Sequence, residues 1–422
     1  MSIRLSSLIV CLVALLSPTG GTAWGSGQES SPDDRTTPAG AGTDSRAETR
    51  TVVAGERYRA GGLHEWIFGD DYRDLWTTPI EVEVLDLEST AGGLEPEMIV
   101  GRNQTLGLAL RGADGNSYTF RSLDKDPTAV LPGELLGTPI ADLAQDQISS
   151  NFPGAPLVAG PVTRAAGVLQ TEQRLAIMPD SRRLGEFREQ FAGLLGTFYM
   201  FPTAGTWDAT EIIDGEELIE RITAGADEGI DERAFLRARL VDLLLGDWDR
   251  HIGQWRWARI PGQEGWQPIP EDRDQAFSRY DGLAMSLQRN RDPRFDVFGA
   301  EYQPLEGLGW NGRTVDRRLL SGLEWQDWVE VARDVRSRLD DDVLETAVRR
   351  LPEPWYELRG EELTRRLKAR RDALVGEAER FYHFLAGAVD VWGTNGAERI
   401  TVRRGPDGAV DVEITSLDDV PP

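Results

Sequence analysis

The chain has 422 residues, 40% of them hydrophobic, and carries a net charge of -25, enough length and apolar content for one large two-part domain with a sizeable core. Nucleic acid and anionic membrane surfaces would repel a protein this acidic, so neither is an expected partner. Its single cysteine, Cys11, lies in an N-terminal apolar stretch and its three histidines are scattered, which leaves no disulfide, no thiolate chemistry and no clustered His/Asp set for a metal-dependent hydrolase.

Arg4, the apolar stretch Leu5 to Leu16 and the small residues Gly21-Thr22-Ala23 have the layout of a cleavable export signal over residues 1–23. The stretch is too short to span a bilayer comfortably, and no later run approaches that length. The expected product is therefore exported, periplasmic or extracellular, with no transmembrane anchor in the mature chain. Residues 24–50, rich in Gly, Ser, Thr, Asp and Pro, read as a disordered linker. From 51 to 203 the texture is strand-rich. IEVEVLDL at 80–87 alternates as a half-buried strand does. TLGLALRGADGNSYTFRSLDK reads as a hairpin turning at Ala113-Asp114-Gly115, after a loop holding Gly101, Asn103 and Thr105. A helix is expected over Pro139–Ser150, and strands at 175–180 and 195–203 lead to a hinge near residue 201.

From 204 to 390 the pattern turns helical. An amphipathic helix over 231–245 leads into the segment GDWDRHIGQWRW, with Asp242 capping or buttressing that loop. WRWARI and WQPIPE then form a hairpin, with Trp255 and Trp257 packing one face as core aromatics. Helices are expected at about 323–350 and 360–388, and the tail over 391–422 contains a further β-hairpin.

Within this frame one constellation carries chemistry. Asp249 ends the 246–249 turn, Gln254 stands five positions on, and PIPEDRDQAF places Asp272 and Asp274 at alternate positions after the hairpin. Two acids and an amide converging on one point make an oxygen site suited to Mg²⁺ or Mn²⁺ rather than zinc. Of 46 lysines and arginines only two are lysine, Lys125 and Lys368. In a chain that writes nearly every cation as arginine, a lysine kept in YTFRSLDKDP suggests a need for a compact point charge, with Arg121 the competing anion contact.

The stretch DLLLGDWDRHIGQWRW resembles the D-x-x-x-G-N-x-D-R-H-x-x-N signature of atypical kinases: the spore-coat CotH kinases, the secretory-pathway casein kinases and the HipA-type toxin kinases. With YRDLWTTPIEVEVLDL, YTFRSLDKDP, DQISS and PIPEDRDQAF in this order, the chain also looks like an uncharacterised family of exported bacterial proteins with such a core. The likeness covers residues 54 to 400. It implies an α+β, bilobal protein-kinase-like fold, with a strand-rich N-lobe over 51–203, a helical C-lobe over 204–390 and the C-terminal β-hairpin. It further implies Asp249 as catalytic base, Asp272 as main metal ligand helped by Gln254 and Asp274, and Lys125 and Arg121 as contacts to ATP or another nucleotide. Asp146 on the 139–150 helix would hold the lysine, with Glu134 as an alternative, and the adenine would stack near Tyr199 to Pro202. Two positions depart from the signature: Asp247 replaces the usual Asn, and Gln254 replaces the metal-binding Asn, offering its carbonyl one methylene further out.

The function expected on this basis is metal-dependent phosphoryl or nucleotidyl transfer from a nucleotide to a hydroxyl-bearing acceptor, whether protein, sugar or lipid. Such chemistry is mainly positioning and electrostatic stabilisation, which suits a site without a strong nucleophile. The competing expectation is a catalytically silent kinase-like binding domain of the cell envelope, where little ATP is met.

Overall fold

The computed structural model describes residues 48–101, 104–225, 228–406 and 408–417. The export signal, Cys11, nearly all of the linker and Asn103 lie outside the described residues. Strand β1 (Thr49–Val53) pairs antiparallel with β2 (Pro79–Glu83), so regular structure begins two residues inside the stretch expected to be linker. In β2, buried Ile80 and Val82 alternate with exposed Pro79 and Glu81, as anticipated for a half-buried strand.

Strands β3 (Leu94–Val100), β4 (Gly107–Gly112), β5 (Ser117–Ser122), β6 (Gln173–Ile177) and β7 (Leu195–Phe201) form an antiparallel sheet in the order β3-β4-β5-β7-β6. The β4–β5 turn falls at Ala113-Asp114-Gly115, where Gly115 takes φ +85°, a conformation glycine adopts without strain. Strand alternation then divides the labour. Leu108, Leu110, Phe120 and Phe198 join Leu85 and Phe191 in a small core on one face. Arg121, Thr197, Tyr199 and Gln173 face the other way, into a cavity.

The larger core is built around the helix Glu232–Leu245, whose first turn is capped by Asp231 accepting from the Ala234 amide at 2.8 Å. The sequence suggests an amphipathic helix, but every residue from Ala238 to Leu245 is buried. The helices Ala155–Ala165, Trp325–Arg338 and Glu353–Ala386 all pack on it, so its charged residues Arg239 and Asp242 are internal and must be paired. The segment before the sheet belongs to this core as well. Trp76 donates its indole N–H to the Asn151 carbonyl at 2.9 Å, and Trp355 donates to the Leu75 carbonyl at 2.9 Å.

The helical stretch expected at 323–350 is two helices, Trp325–Arg338 and Asp341–Val348. The break falls where Asp340 turns outward to cap the second, accepting from the Val343 amide at 2.9 Å. The next helix starts earlier than expected, at Glu353 just after Pro352, and runs 34 residues to Ala386. Strands β8 (Glu211–Asp214), β9 (Trp255–Arg259) and β10 (Trp266–Pro270) form a second sheet in the order β10-β9-β8. Its four-residue β8 gives too short a pattern to be read from sequence. Trp255 and Trp257 pack on Phe235 as expected, with ring centroids at 5.0 and 5.4 Å. Strands β11 (Glu398–Arg404) and β12 (Val410–Ser416) form the anticipated C-terminal hairpin. The fold is thus α+β, with a sheet-rich N-terminal part and a helical C-terminal part. No helix among the described residues is long and apolar enough to cross a membrane.

Candidate active site

The buried helix ends on Gly246, which takes φ +70° as its C-cap. The chain turns there, and the Asp247 amide donates back to the Asp242 carbonyl at 2.9 Å. Arg250, wholly buried, then gathers the surrounding backbone. Its guanidinium donates to the carbonyls of Gln254 (3.0 Å), Glu271 (2.6 and 2.9 Å) and Asp272 (3.2 Å), and to the Asp247 carboxylate (3.1 Å). One side chain thereby joins the 246–254 loop to the 271–274 loop, its two terminal nitrogens donating to three carbonyls and a carboxylate that would otherwise be buried unpaired. His251 accepts from the Gly253 amide at 3.1 Å through Nδ1 and shapes the loop.

Beneath these loops lies a buried chain of alternating charge. Asp316 takes both ends of the Arg239 guanidinium at 2.7 and 3.0 Å. Arg239 reaches Asp242 at 2.6 Å, and Asp242 also accepts from Arg273. Asp247, between Arg250 and Arg273, completes the set. Burial pushes the Asp247 carboxyl up to about 7, with Asp242 and Asp249 adding to the rise, although Arg250 and Arg273 pull the other way. Asp242 is the buttress that the sequence suggests.

Four of the residues expected to handle phosphates and metal, Arg121, Lys125, Asp272 and Asp274, are brought together. Arg121, near the end of β5, donates to Asp272 at 2.9 Å, and Lys125, just beyond β5, forms an ion pair with Asp274. Asp272 adopts φ +45°, an uncommon backbone for a non-glycine residue. Burial raises the Asp272 carboxyl, but Arg121 and Lys125 more than offset it and hold it below the usual carboxylate range. Asp274 goes the opposite way, to about 6, through burial and the neighbouring Asp272 charge, against the pull of Lys125. The two neighbouring acids are thus pushed in opposite directions, Asp272 down by its two cations and Asp274 up by burial and by Asp272. These four line a cavity of about 50 Å³ with Thr105, Tyr199 and the apolar Trp76 and Phe152 among its walls. Asp249 and Gln254 are not among those wall residues.

Asp146 differs from expectation. It receives both ends of Arg73 at 2.8 Å and one nitrogen of His64 at 2.9 Å, while Lys125 takes its carboxylate partner from the 271–274 loop. The bidentate fork of Arg73 engages both oxygens of Asp146. The helix meets Lys125 through Gln145 instead, whose amide donates to the Lys125 carbonyl at 2.8 Å. Glu134 is solvent-exposed. Two residues escape the sequence reading. Arg73 sits in a short helix within the stretch YRDLWTTPIEVEVLDL, where nothing in its spacing marks a partner for Asp146. Asn311 donates its side-chain amide to one oxygen of Asp249 at 2.6 Å from 62 residues further along the chain, and in sequence its Asn-Gly pair signals only a turn.

Asp272 and Asp274 fit a magnesium ion of the kind held by one or two carboxylates with the remaining positions filled by phosphate and water. Among the described residues no group of three or more His, Cys, Asp or Glu could hold a metal. Asp272 and Asp274 would hold such an ion, which would supply positive charge to offset that of phosphate.

No family model matches the chain, and no curated protein matches it. Among solved structures, the chain is similar to the Helicobacter pylori proinflammatory kinase CtkA at 13% identity and a TM-score of 0.37, over 68% of this chain and 96% of that one. It is also similar to a chain in the complex of the Shewanella oneidensis MR-1 toxin–antitoxin system HipA, HipB and its operator DNA, at 13% identity and a TM-score of 0.32, over 84% and 77%. Both scores are low, and the functional reading rests on the side chains.

Proposed function

We propose that this protein transfers a phosphoryl or nucleotidyl group from ATP or another nucleotide to a hydroxyl-bearing acceptor, as an atypical kinase that uses Mg²⁺ or Mn²⁺. The observation that carries the reading is the doubled pairing of Arg121 with Asp272 and Lys125 with Asp274. Two cations from the sheet meet two acids from the loop after β10 in charge balance. A metal–nucleotide complex can exchange those partners without leaving any group unpaired: the cations turn to phosphate and the acids to the metal. Asp249 receives the acceptor hydroxyl's proton or orients that hydroxyl, and Arg250 keeps the two loops in register. Export to the periplasm or beyond belongs to the same proposal and rests on the sequence of residues 1–23.

A thermal-shift screen of nucleotides with Mg²⁺ and Mn²⁺ tests this. Nucleotide with metal is expected to raise the melting temperature, neither alone is expected to do so, and Asp272→Ala is expected to abolish the shift. A shift that persists in Asp272→Ala removes that residue from the metal site. Gln254, which stands where the resembled signature has its metal-binding Asn and lies outside the cavity wall, favours the second reading, a silent binding domain. Nucleotide binding without phosphate release or transfer would select it.

A further inference from the structure

Asn311 is not part of the Asp-Arg-His segment, the 271–274 loop or the lysine strand, yet it holds the residue on which the proposed chemistry turns. Its side-chain amide donates to Asp249 Oδ1 at 2.6 Å. We propose that Asn311 is a positioning residue that fixes the Asp249 carboxylate with one oxygen occupied and the other left for the acceptor hydroxyl. This rests on the phosphoryl-transfer reading above.

The contact is built from below. Asn311 lies between the short helix Leu305–Leu308 and the helix Arg313–Leu319. The next residue, Gly312, lies directly on the Arg239–Asp316 pair: a Cβ at 312 would come within 2.7 Å of the Arg239 guanidinium and 3.0 Å of the Asp316 carboxylate. Arg239 continues to Asp242, and Asp242 to Arg273 in the metal loop. On the other side, Trp310 is covered by the guanidinium of Arg313, 4.6 Å from its ring. The loop carrying Asn311 is therefore tied to the same buried charges that set the Asp249 and Asp272 loops. A neutral amide suits this place. It donates a hydrogen bond that orients a carboxylate, and it brings no charge to compete with a metal or a phosphate.

The test measures phosphate release from MgATP, with water as acceptor, by the full chain and by Asn311→Ala, Asn311→Asp and Asn311→Gln, all confirmed folded by circular dichroism. Asn311→Ala is expected to lower kcat by about 10²-fold, the scale of a misplaced catalytic group, with KM for MgATP unchanged. Asn311→Asp, of equal size but repelling Asp249, is expected to be worse, and Asn311→Gln to recover part of the rate. In an Asp249→Asn background the removal of Asn311 is expected to cost nothing further, because the two act as a unit. If Asn311→Ala does not fold, the comparison of Asn311→Asp with Asn311→Gln carries the test. Full kcat in Asn311→Ala, or equal additional loss in the Asp249→Asn background, overturns the positioning role and leaves the phosphoryl-transfer reading intact. Absence of metal-dependent phosphate release from the unsubstituted chain overturns that reading and the role of Asn311 with it.

Discussion

Lys125 and Lys368 are chemically alike and differently placed. Lys368 sits on the outside of the long helix and pairs with Asp341 and Glu345, a surface arrangement that arginine could fill at little cost. Lys125 is buried against Asp274 in the small cavity, where the bulk and fixed fork of a guanidinium have no room. Lys125→Arg is accordingly expected to fold and to lose nucleotide affinity by at least roughly tenfold, about 1.4 kcal/mol, as read by isothermal titration. Undiminished affinity would move the phosphate contact to Arg121. Asp247 provides a second residue-scale expectation. Its carboxyl rises from an ordinary 3.8 to about 7 in the fold, so between those pH values the native state holds a proton that the unfolded chain has shed. Native stability then falls as pH rises through that window and is level above it. Asp247→Asn removes the titration, and asparagine is also the residue that the resembled signature carries there. The variant is expected to gain melting temperature relative to the parent as pH goes from about 6 to about 8. A variant less stable than the parent by the same margin at every pH would show that the pairing with Arg250 and Arg273 outweighs burial.

At the scale of elements, the features legible in the sequence are those that repeat locally. The alternation in β2, the turn at Ala113-Asp114-Gly115, the Trp255/Trp257 face and the C-terminal hairpin all arise from period and turn chemistry within a few residues. The break at Asp340 and the full burial of the 232–245 helix do not, because each depends on a tertiary partner. The candidate site divides in the same way. Asp249, Asp272 and Asp274 announce themselves by spacing, whereas Asn311 and Arg73 are defined only by what lies opposite them in space. Gly246 connects the two levels. It ends the buried helix in a left-handed conformation, and a Cβ there would come within 2.7 Å of the Phe298 ring. Gly246→Ala combines backbone strain with overpacking, and is expected to cost roughly 2–4 kcal/mol in urea unfolding and to displace the Asp249 loop. A change below about 0.5 kcal/mol, the usual limit for an innocuous surface substitution, would mean that this turn is set by something other than its glycine.

For the whole molecule, the sheet and the helical part meet through charge as well as through apolar packing. Arg121 and Lys125 reach from the sheet to Asp272 and Asp274, Arg250 ties the two loops behind them, and the buried chain from Asp316 to Asp247 fixes those loops to the central helix. The site is therefore held closed by groups that, on the proposed function, a metal–nucleotide complex would claim for itself, so that binding would be a change of partners between these loops. The most direct measurement is a structure determined with magnesium and a non-hydrolysable ATP analogue bound. It is expected to show Lys125 and Arg121 on phosphate oxygens, the metal on Asp272 with Asp274 beside it, and the carbonyl contacts of Arg250 unchanged. Nucleotide bound elsewhere with both ion pairs intact would contradict this account.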